Sequence, residues 1–338
     1  MHALVTGGGG FLGRYIVELL LARGMRVRSF GRGAYPELEA MGVEVVRGDI
    51  NDRAAVAEAC RGVECVFHAA ARAGVGGSFM DYARPNVMGT KNVLIACRYH
   101  RVPRLVFTSS PSATFAGEDQ TGIDETVRFD LDWMKRNGAH YSLSKAYAET
   151  GVWLATHGRG VTRACALRPH LIWGPRDTHL IPRLIARAKS GRLRRVGDGT
   201  NLVDICYVEN AAAAHLQAAD ALADGVQFSQ IMYYISQGEP VNCWQWIDEI
   251  LALANLPPVR KTISYPAARR LGAACEAAYR LLRLKGEPPM TRFLAAQLAK
   301  SHWYDISAAR RDFGYEVRVS TAEGMQRLGT WLEANGEC

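Results

Sequence analysis

The segment Thr6-Gly7-Gly8-Gly9-Gly10-Phe11-Leu12-Gly13 constrains this chain more than any other. It follows a short apolar run, Ala3–Thr6, that reads as a strand. It opens Phe11–Arg23, where Leu12, Ile16, Leu19 and Leu20 recur at helical spacing and Gly24 supplies a stop. Glycines 7, 10 and 13 stand at Gly-x-x-Gly-x-x-Gly spacing. A turn without side chains lets backbone N–H groups and a helix N-terminus approach a pyrophosphate. In this strand–turn–helix context the motif predicts a dinucleotide site; a glycine-rich turn without a ligand is the alternative.

The rest of the chain extends the pattern. Arg26–Phe30, Val43–Arg47, Cys65–His68, Leu105–Ser109 and Thr162–Leu167 read as strands, and Asp52–Ala59, Asn86–His100 and Tyr141–Thr156 as helices. Such alternation predicts an α/β fold: a Rossmann-type, doubly wound parallel sheet with helices on both faces. Pro, Gly and Arg break up residues 174–200, leaving one helix near Leu180–Ser190. Asn210–Leu222 is an Ala-rich helix, Ile231–Ile235 a further strand, and Trp244–Ala254 and Ala267–Leu284 are helical. Residues 1–170 therefore form a cofactor domain whose sheet is completed by parts of 204–238, while 171–203 and 239–338 form a smaller α+β substrate lobe.

Composition narrows the class. With 48% hydrophobic and 22% charged residues among 338, disordered and fibrous chains are excluded. The net charge of +8 allows nucleic acid, an anionic membrane surface or a phosphorylated ligand, but no nucleic-acid motif accompanies it. No signal-peptide pattern and no long uncharged apolar stretch occurs, so a cytoplasmic protein is expected. Eight scattered cysteines without a Cys-x-x-Cys pair read as reduced core residues. Nine dispersed histidines without His-Glu-x-x-His spacing offer no metal site.

The end of the second strand speaks to the cofactor. An NAD site usually places Asp or Glu there, for the ribose 2′-OH. Here the segment is Ser29-Phe30-Gly31-Arg32-Gly33. The missing acid and the guanidinium of Arg32 favour NADP(H) over NAD(H); a solvated turn residue is the other reading of Arg32. Asp49, before Ile50, either accepts from the adenine amino group or caps the helix near Asp52. Ala69 and Ala70, after the fourth strand, let a cofactor lie against the backbone.

Tyr141-Ser142-Leu143-Ser144-Lys145 places a phenol and an ammonium on one helical face. Thr108-Ser109-Ser110 ends the fifth strand at the same sheet edge as the glycine turn. A phenol with a pKa near 10 is a poor acid–base group at neutral pH, and a nearby ammonium lowers it. A serine can then hold the oxygen with which the tyrosine exchanges its proton.

The glycine turn, Ser110 with Tyr141-x-x-x-Lys145, Asn86 in Asn86-Val87-Met88-Gly89-Thr90, and Leu167-Arg168-Pro169 together resemble the extended short-chain dehydrogenase/reductase family. The resemblance implies that Tyr141 is the acid–base, that Lys145 holds the ribose and lowers the phenol's pKa, and that Ser110 binds the reacting oxygen. It places Asn86 and Pro169 beside the cofactor and implies a homodimer through the helices of 86–100 and 141–156. Ser110-Pro111-Ser112 lacks the Asp-Glu pair of nucleotide-sugar dehydratases. Val203 stands where nucleotide-sugar epimerases carry an arginine, so a greasy substrate is favoured over a nucleotide-linked one. Gly197-Asp198-Gly199, the segments 168–175 and 286–293, and His302-Trp303-Tyr304 are similar to the 3β-hydroxysteroid dehydrogenase branch, which includes sterol-4-carboxylate 3-dehydrogenases. Within it they most resemble bacterial reductases of 2-alkyl-3-oxoalkanoic acids that serve olefin biosynthesis. The resemblance implies NADPH-dependent reduction of a lipid-like β-keto acid to the 3-hydroxy acid, or oxidation of a 3-hydroxysteroid. A nucleotide-sugar epimerase and a non-catalytic NADP-sensing protein share the sheet, but the latter usually lacks the Tyr or the Lys.

A β-keto carboxylate needs a cationic anchor. His170, His179, Arg183 and Arg292 are the candidates, with His170 first and Arg292 beside it in the substrate lobe. Ala267–Leu284 carries Arg269, Arg270, Arg280 and Arg283 beside several leucines. Such a helix either lies on an anionic membrane or a partner enzyme, or covers the substrate pocket with its arginines outward.

Overall fold

The computed structural model describes residues 1–157, 162–284 and 286–336. Its short apolar strands are β1 (His2–Thr6), β2 (Arg26–Gly31), β3 (Glu44–Arg47), β4 (Cys65–His68), β5 (Arg104–Thr108), β6 (Arg163–Pro169) and β7 (Met232–Ile235). They form one sheet in the order β7-β6-β5-β4-β1-β2-β3, every pair parallel. Chain order reverses between β4 and β1. A crevice therefore opens at their C-terminal ends, where an α/β sheet binds ligands.

Alternation along β1 divides the core. Ala3 and Val5 pack with Ile16 and Leu20 of α1 (Phe11–Ala22) and with Ala211 of the later α5 (Val208–Asp224). Leu4 faces the other way. It packs with Val56 of α2 (Arg53–Ala59), Val93 of α3 (Gly89–Tyr99), and Ala148 and Val152 of α4 (His140–His157). Both faces are thus covered, as a parallel sheet requires.

The helix expected over Asn86–His100 begins earlier and less regularly. A short α-turn, Phe79–Tyr82, widens into a π-turn, Ala83–Met88, before α3. Asn86 lies in the widened turn, a form that often marks functional positions.

A second, mixed sheet joins Val241–Asn242, Leu202–Val203, His302–Tyr304 and Gln120–Ile123. Gln120–Ile123 comes from the first half of the chain, while Ile306, Ala309 and Phe313 pack in the same core as β1 and α1. The lobe and the cofactor domain therefore share elements across residue 170. In the lobe, α6 (Tyr265–Leu281) crosses α7 (Arg292–Ala299) so closely that a Cβ on Gly272 would lie 2.5 Å from the Thr291 carbonyl carbon. Ala268 and Gly272 are its buried residues, whereas Leu281 is 83% exposed.

Helix α4 is tied to β6 by a buried ion pair. Arg168 Nε and Nη2 donate to Glu149 Oε1 and Oε2 at 2.9 and 2.7 Å, with both side chains almost fully buried. Removing one partner strands the other charge. Glu149→Ala is expected to cost about 3–5 kcal/mol of unfolding free energy in urea denaturation; a loss below about 1 kcal/mol would contradict a structural role for the pair.

Candidate active site

The glycine turn is shaped by close approach. Gly7 has φ 73°, and a Cβ there would come within 3.0 Å of the Ala70 backbone. A Cβ on Gly13 would sit 2.1 Å from the Gly7 carbonyl oxygen. Gly10 donates to that same oxygen at 2.9 Å. Helix α1 starts on Gly10 with no side-chain cap and no acid in its first turn. Its first N–H groups and its dipole are free to meet an anion. Leu12 is buried in the core and Phe11 packs edge-on against Tyr15, so both support the turn by packing. This cradle, floored by the small Ala69 and Ala70, fits a dinucleotide pyrophosphate.

The adenosine side is equally defined. Arg32 is exposed, with no ion pair among the described residues. Helix α2 is capped by Asp52, which accepts from Ala54 N and Ala55 N at 2.9 and 3.1 Å. Asp49 is therefore not the cap. It accepts from Asn51 N and Nδ2 at 2.9 and 2.8 Å, and those bonds hold its carboxyl below the usual range. Ile50 packs against Gly89 at the start of α3. Tyr35, which composition did not single out, lies over the turn in left-handed backbone at φ 50°; a Cβ on Gly9 would be 2.1 Å from its ring.

Helix α4 brings the reacting groups to the sheet edge. Lys145 is buried; its Nζ donates to Thr108 O at 2.7 Å and stands 6.0 Å from the centre of the Tyr141 ring. Ser110 caps the turn Pro111–Ala113 and accepts from Ser112 N and Oγ at 3.3 and 3.0 Å. Neighbouring Ser109 donates its backbone N–H to Leu167 O at 2.6 Å and so continues the sheet.

Burial dominates the electrostatics of the pair. Burial pushes the Tyr141 phenol up to about 12, and the Ser110 hydroxyl acts in the opposite direction. Burial presses Lys145 down to about 7, against the attraction of Glu149. At Tyr141 burial outweighs any lowering by Lys145. The ammonium is itself desolvated and gives its hydrogen bond to a backbone carbonyl.

Sequence reading placed Asn86 beside the cofactor, but missed its bonds to Arg72 and Ser144 and the part that Ser144 plays. Asn86 Oδ1 accepts from Arg72 N at 2.7 Å, and its Nδ2 donates to Arg72 O and to Ser144 Oγ, both at 2.9 Å. Ser144 Oγ in turn donates to Tyr141 O at 2.7 Å. Asn86 is thus a positioning residue that joins the π-turn to α4. His68 bridges Thr6 and Thr90 at 2.7 and 2.9 Å, and burial holds it neutral with a pKa of about 3. The signal for Ser144 was its place three residues after Tyr141, on the same helical face.

Beside Tyr141, a narrow space among Gly76, Tyr82, His140 and Phe293 continues into a cavity of about 650 Å³ under α6. Two expected anchors are elsewhere. His170 Nε2 is 2.7 Å from His302 Nδ1; both rings are buried, and burial keeps His170 well below its ordinary pKa, hence uncharged. Arg292 is an intramolecular clamp: its Nε and Nη2 reach Glu276 Oε2 at 2.8 Å, and its backbone N donates to Glu276 Oε1 at 2.7 Å. Arg183 pairs with Glu287 at 3.0 Å, and His179 is exposed. Val203 is buried between two strands of the small sheet. Pro169 ends β6 opposite Ile235.

Comparison with known proteins places this geometry. The profile of the 3-beta hydroxysteroid dehydrogenase/isomerase family matches residues 4–261. A 2-alkyl-3-oxoalkanoate reductase of Stenotrophomonas maltophilia is 49% identical over 97% of this chain and 98% of its own. One from Shewanella oneidensis is 46% identical over 97% and 85%. The fold is that of the UDP-glucuronic acid 4-epimerase of Bacillus cereus solved with NAD, at a TM-score of 0.74 and 18% identity over 99% of both chains. The chain belongs to the 3-beta hydroxysteroid dehydrogenase/isomerase family of extended short-chain dehydrogenases/reductases, and is an NAD(P)-binding oxidoreductase acting on an oxo or hydroxy group.

Proposed function

We propose that this enzyme uses NADPH to reduce a long-chain 2-alkyl-3-oxoalkanoic acid to the 3-hydroxy acid. The observation that carries the reading is the 49% identity, over nearly the whole of both chains, to a reductase of that substrate class. The complete Ser110, Tyr141 and Lys145 set beside a cavity supports it. NADPH would be held on the glycine turn, with Arg32 at its 2′-phosphate, and supplies the hydride to C3. Tyr141 gives its proton to the C3 oxygen as that oxygen gains charge. A phenol held at about 12 stays protonated through neutral pH, which suits a donor in the reductive direction. Ser110 orients the same oxygen by hydrogen bonding. Lys145 is steadied by Thr108 O and stands ready to replenish the phenol's proton and to hold ribose hydroxyls.

The decisive assay follows loss of NADPH absorbance with a 2-alkyl-3-oxo acid, beside NAD(P)⁺ with a 3β-hydroxysteroid and conversion of a UDP-sugar. Turnover of the first alone is expected; turnover of the steroid or the UDP-sugar in its place would overturn the reading. Tyr141→Phe is expected to lower kcat by about 10²–10⁴-fold while NADPH still binds by fluorescence titration. Arg32→Ala is expected to raise the KM for NADPH about tenfold or more and to leave that for NADH nearly unmoved. Equal effects on both cofactors would remove Arg32 from the 2′-phosphate.

A further inference from the structure

Tyr141 lines the narrow space that shares Gly76, Tyr82 and His140 with the cavity, and the charged wall of the cavity lies outside the catalytic set. That wall carries Asp81, Glu276 and Glu287 against Arg72, Arg280 and His140. Each carboxylate is committed. Asp81 accepts from Ser78 N and Oγ at 2.7 and 3.0 Å. Glu276 is held by Arg292, and Glu287 by Arg183 and by Val75 N at 3.2 Å. Arg72 lies 3.9 Å from Asp81 and against the Tyr82 ring. Arg280, on the exposed side of α6, has no hydrogen bond or ion pair among the described residues. His140 Nδ1 is buried without a partner, and His140 is the first residue of the 18-residue helix that carries Tyr141. Among the described residues the cavity wall is thus left with one uncommitted cation, Arg280, and with His140 between it and Tyr141.

We propose that Arg280 forms the carboxylate-binding end of the cavity and fixes the 3-oxo acid with its C3 oxygen at Tyr141. The inference rests on the β-keto acid reading above. In such an acid one carbon separates the carboxyl carbon from C3, so the two lie about 2.5 Å apart. The groups that hold the carboxylate must therefore neighbour the group that protonates the ketone. His140 precedes Tyr141 directly, at a helix N-terminus whose dipole favours an anion. Burial, and then the charge of Arg280, hold His140 below its ordinary value, so Arg280 stands close to the residue before Tyr141 and supplies the charge there. The alkyl branch would lie along Phe79, Leu284 and Pro288 on the same wall.

The test compares a 2-alkyl-3-oxo acid with its methyl ester as substrates of the wild type, Arg280→Leu and Arg280→Lys. Arg280 is exposed, so its replacement leaves the core intact. The wild type is expected to prefer the acid. Arg280→Leu should cut the acid-to-ester ratio of kcat/KM at least about tenfold, chiefly through the KM of the acid, and Arg280→Lys should retain part of it. A wild-type ratio in Arg280→Leu would overturn the carboxylate site while leaving the reductase reading intact. Turnover of neither compound by the wild type would overturn that reading, and this site with it.

Discussion

The buried pair between Glu149 and Arg168 fixes the helix on which the chemistry depends. Tyr141, Lys145 and Glu149 recur every four residues along α4 and so share one face. The sheet answers that face step by step. Glu149 meets Arg168 of β6, Lys145 meets the Thr108 carbonyl at the end of β5, and Tyr141 emerges beside Ser110 just past that end. Desolvating two charges largely offsets their attraction. What the pair contributes is position: it sets the rotation of α4 against the sheet, and with it the direction of the phenol. Asn86 and Ser144 add a second tie to the start of the same helix.

Burial also sets the protonation of the site. Tyr141, Lys145 and His68 are all displaced toward their neutral forms, each chiefly by desolvation. Burial thus favours the protonated phenol and works against charge on the amine and the imidazole. Such a site gives up a proton when an oxyanion develops more readily than it takes one from an alcohol. The open anion-binding cradle at the glycine turn lies across the same sheet edge, so charge is handled at one end of the crevice and proton transfer at the other.

Much of this was legible because it is local. A glycine spacing between a strand and an amphipathic helix, or a Tyr and a Lys four residues apart, takes its geometry from the backbone of one element. The central strands β1, β4 and β5 were legible because burial on both faces makes them almost wholly apolar. What could not be read depends on distant partners. His170 looked like a free cation, but its partner His302 lies 132 residues away and both are buried. Arg292 looked like an anchor until Glu276 on the crossing helix absorbed its charge. Gln120–Ile123 gave no periodic signal of its pairing with His302–Tyr304, and the π-turn around Asn86 has no spacing that marks it. The weight of burial at Tyr141 and Lys145 was hidden for the same reason: spacing shows that two groups are near, and not how much water is left around them.

The protonated state of Tyr141 is the point on which the chemistry turns, and a spectrophotometric titration reads it directly. Phenolate absorbance of the wild-type protein, minus that of Tyr141→Phe, isolates this one ring among the tyrosines. Burial predicts that its phenolate appears only above the ordinary tyrosine value of about 10. A phenolate signal that rises near neutral pH would contradict the account and restore the ammonium of Lys145 as the dominant influence.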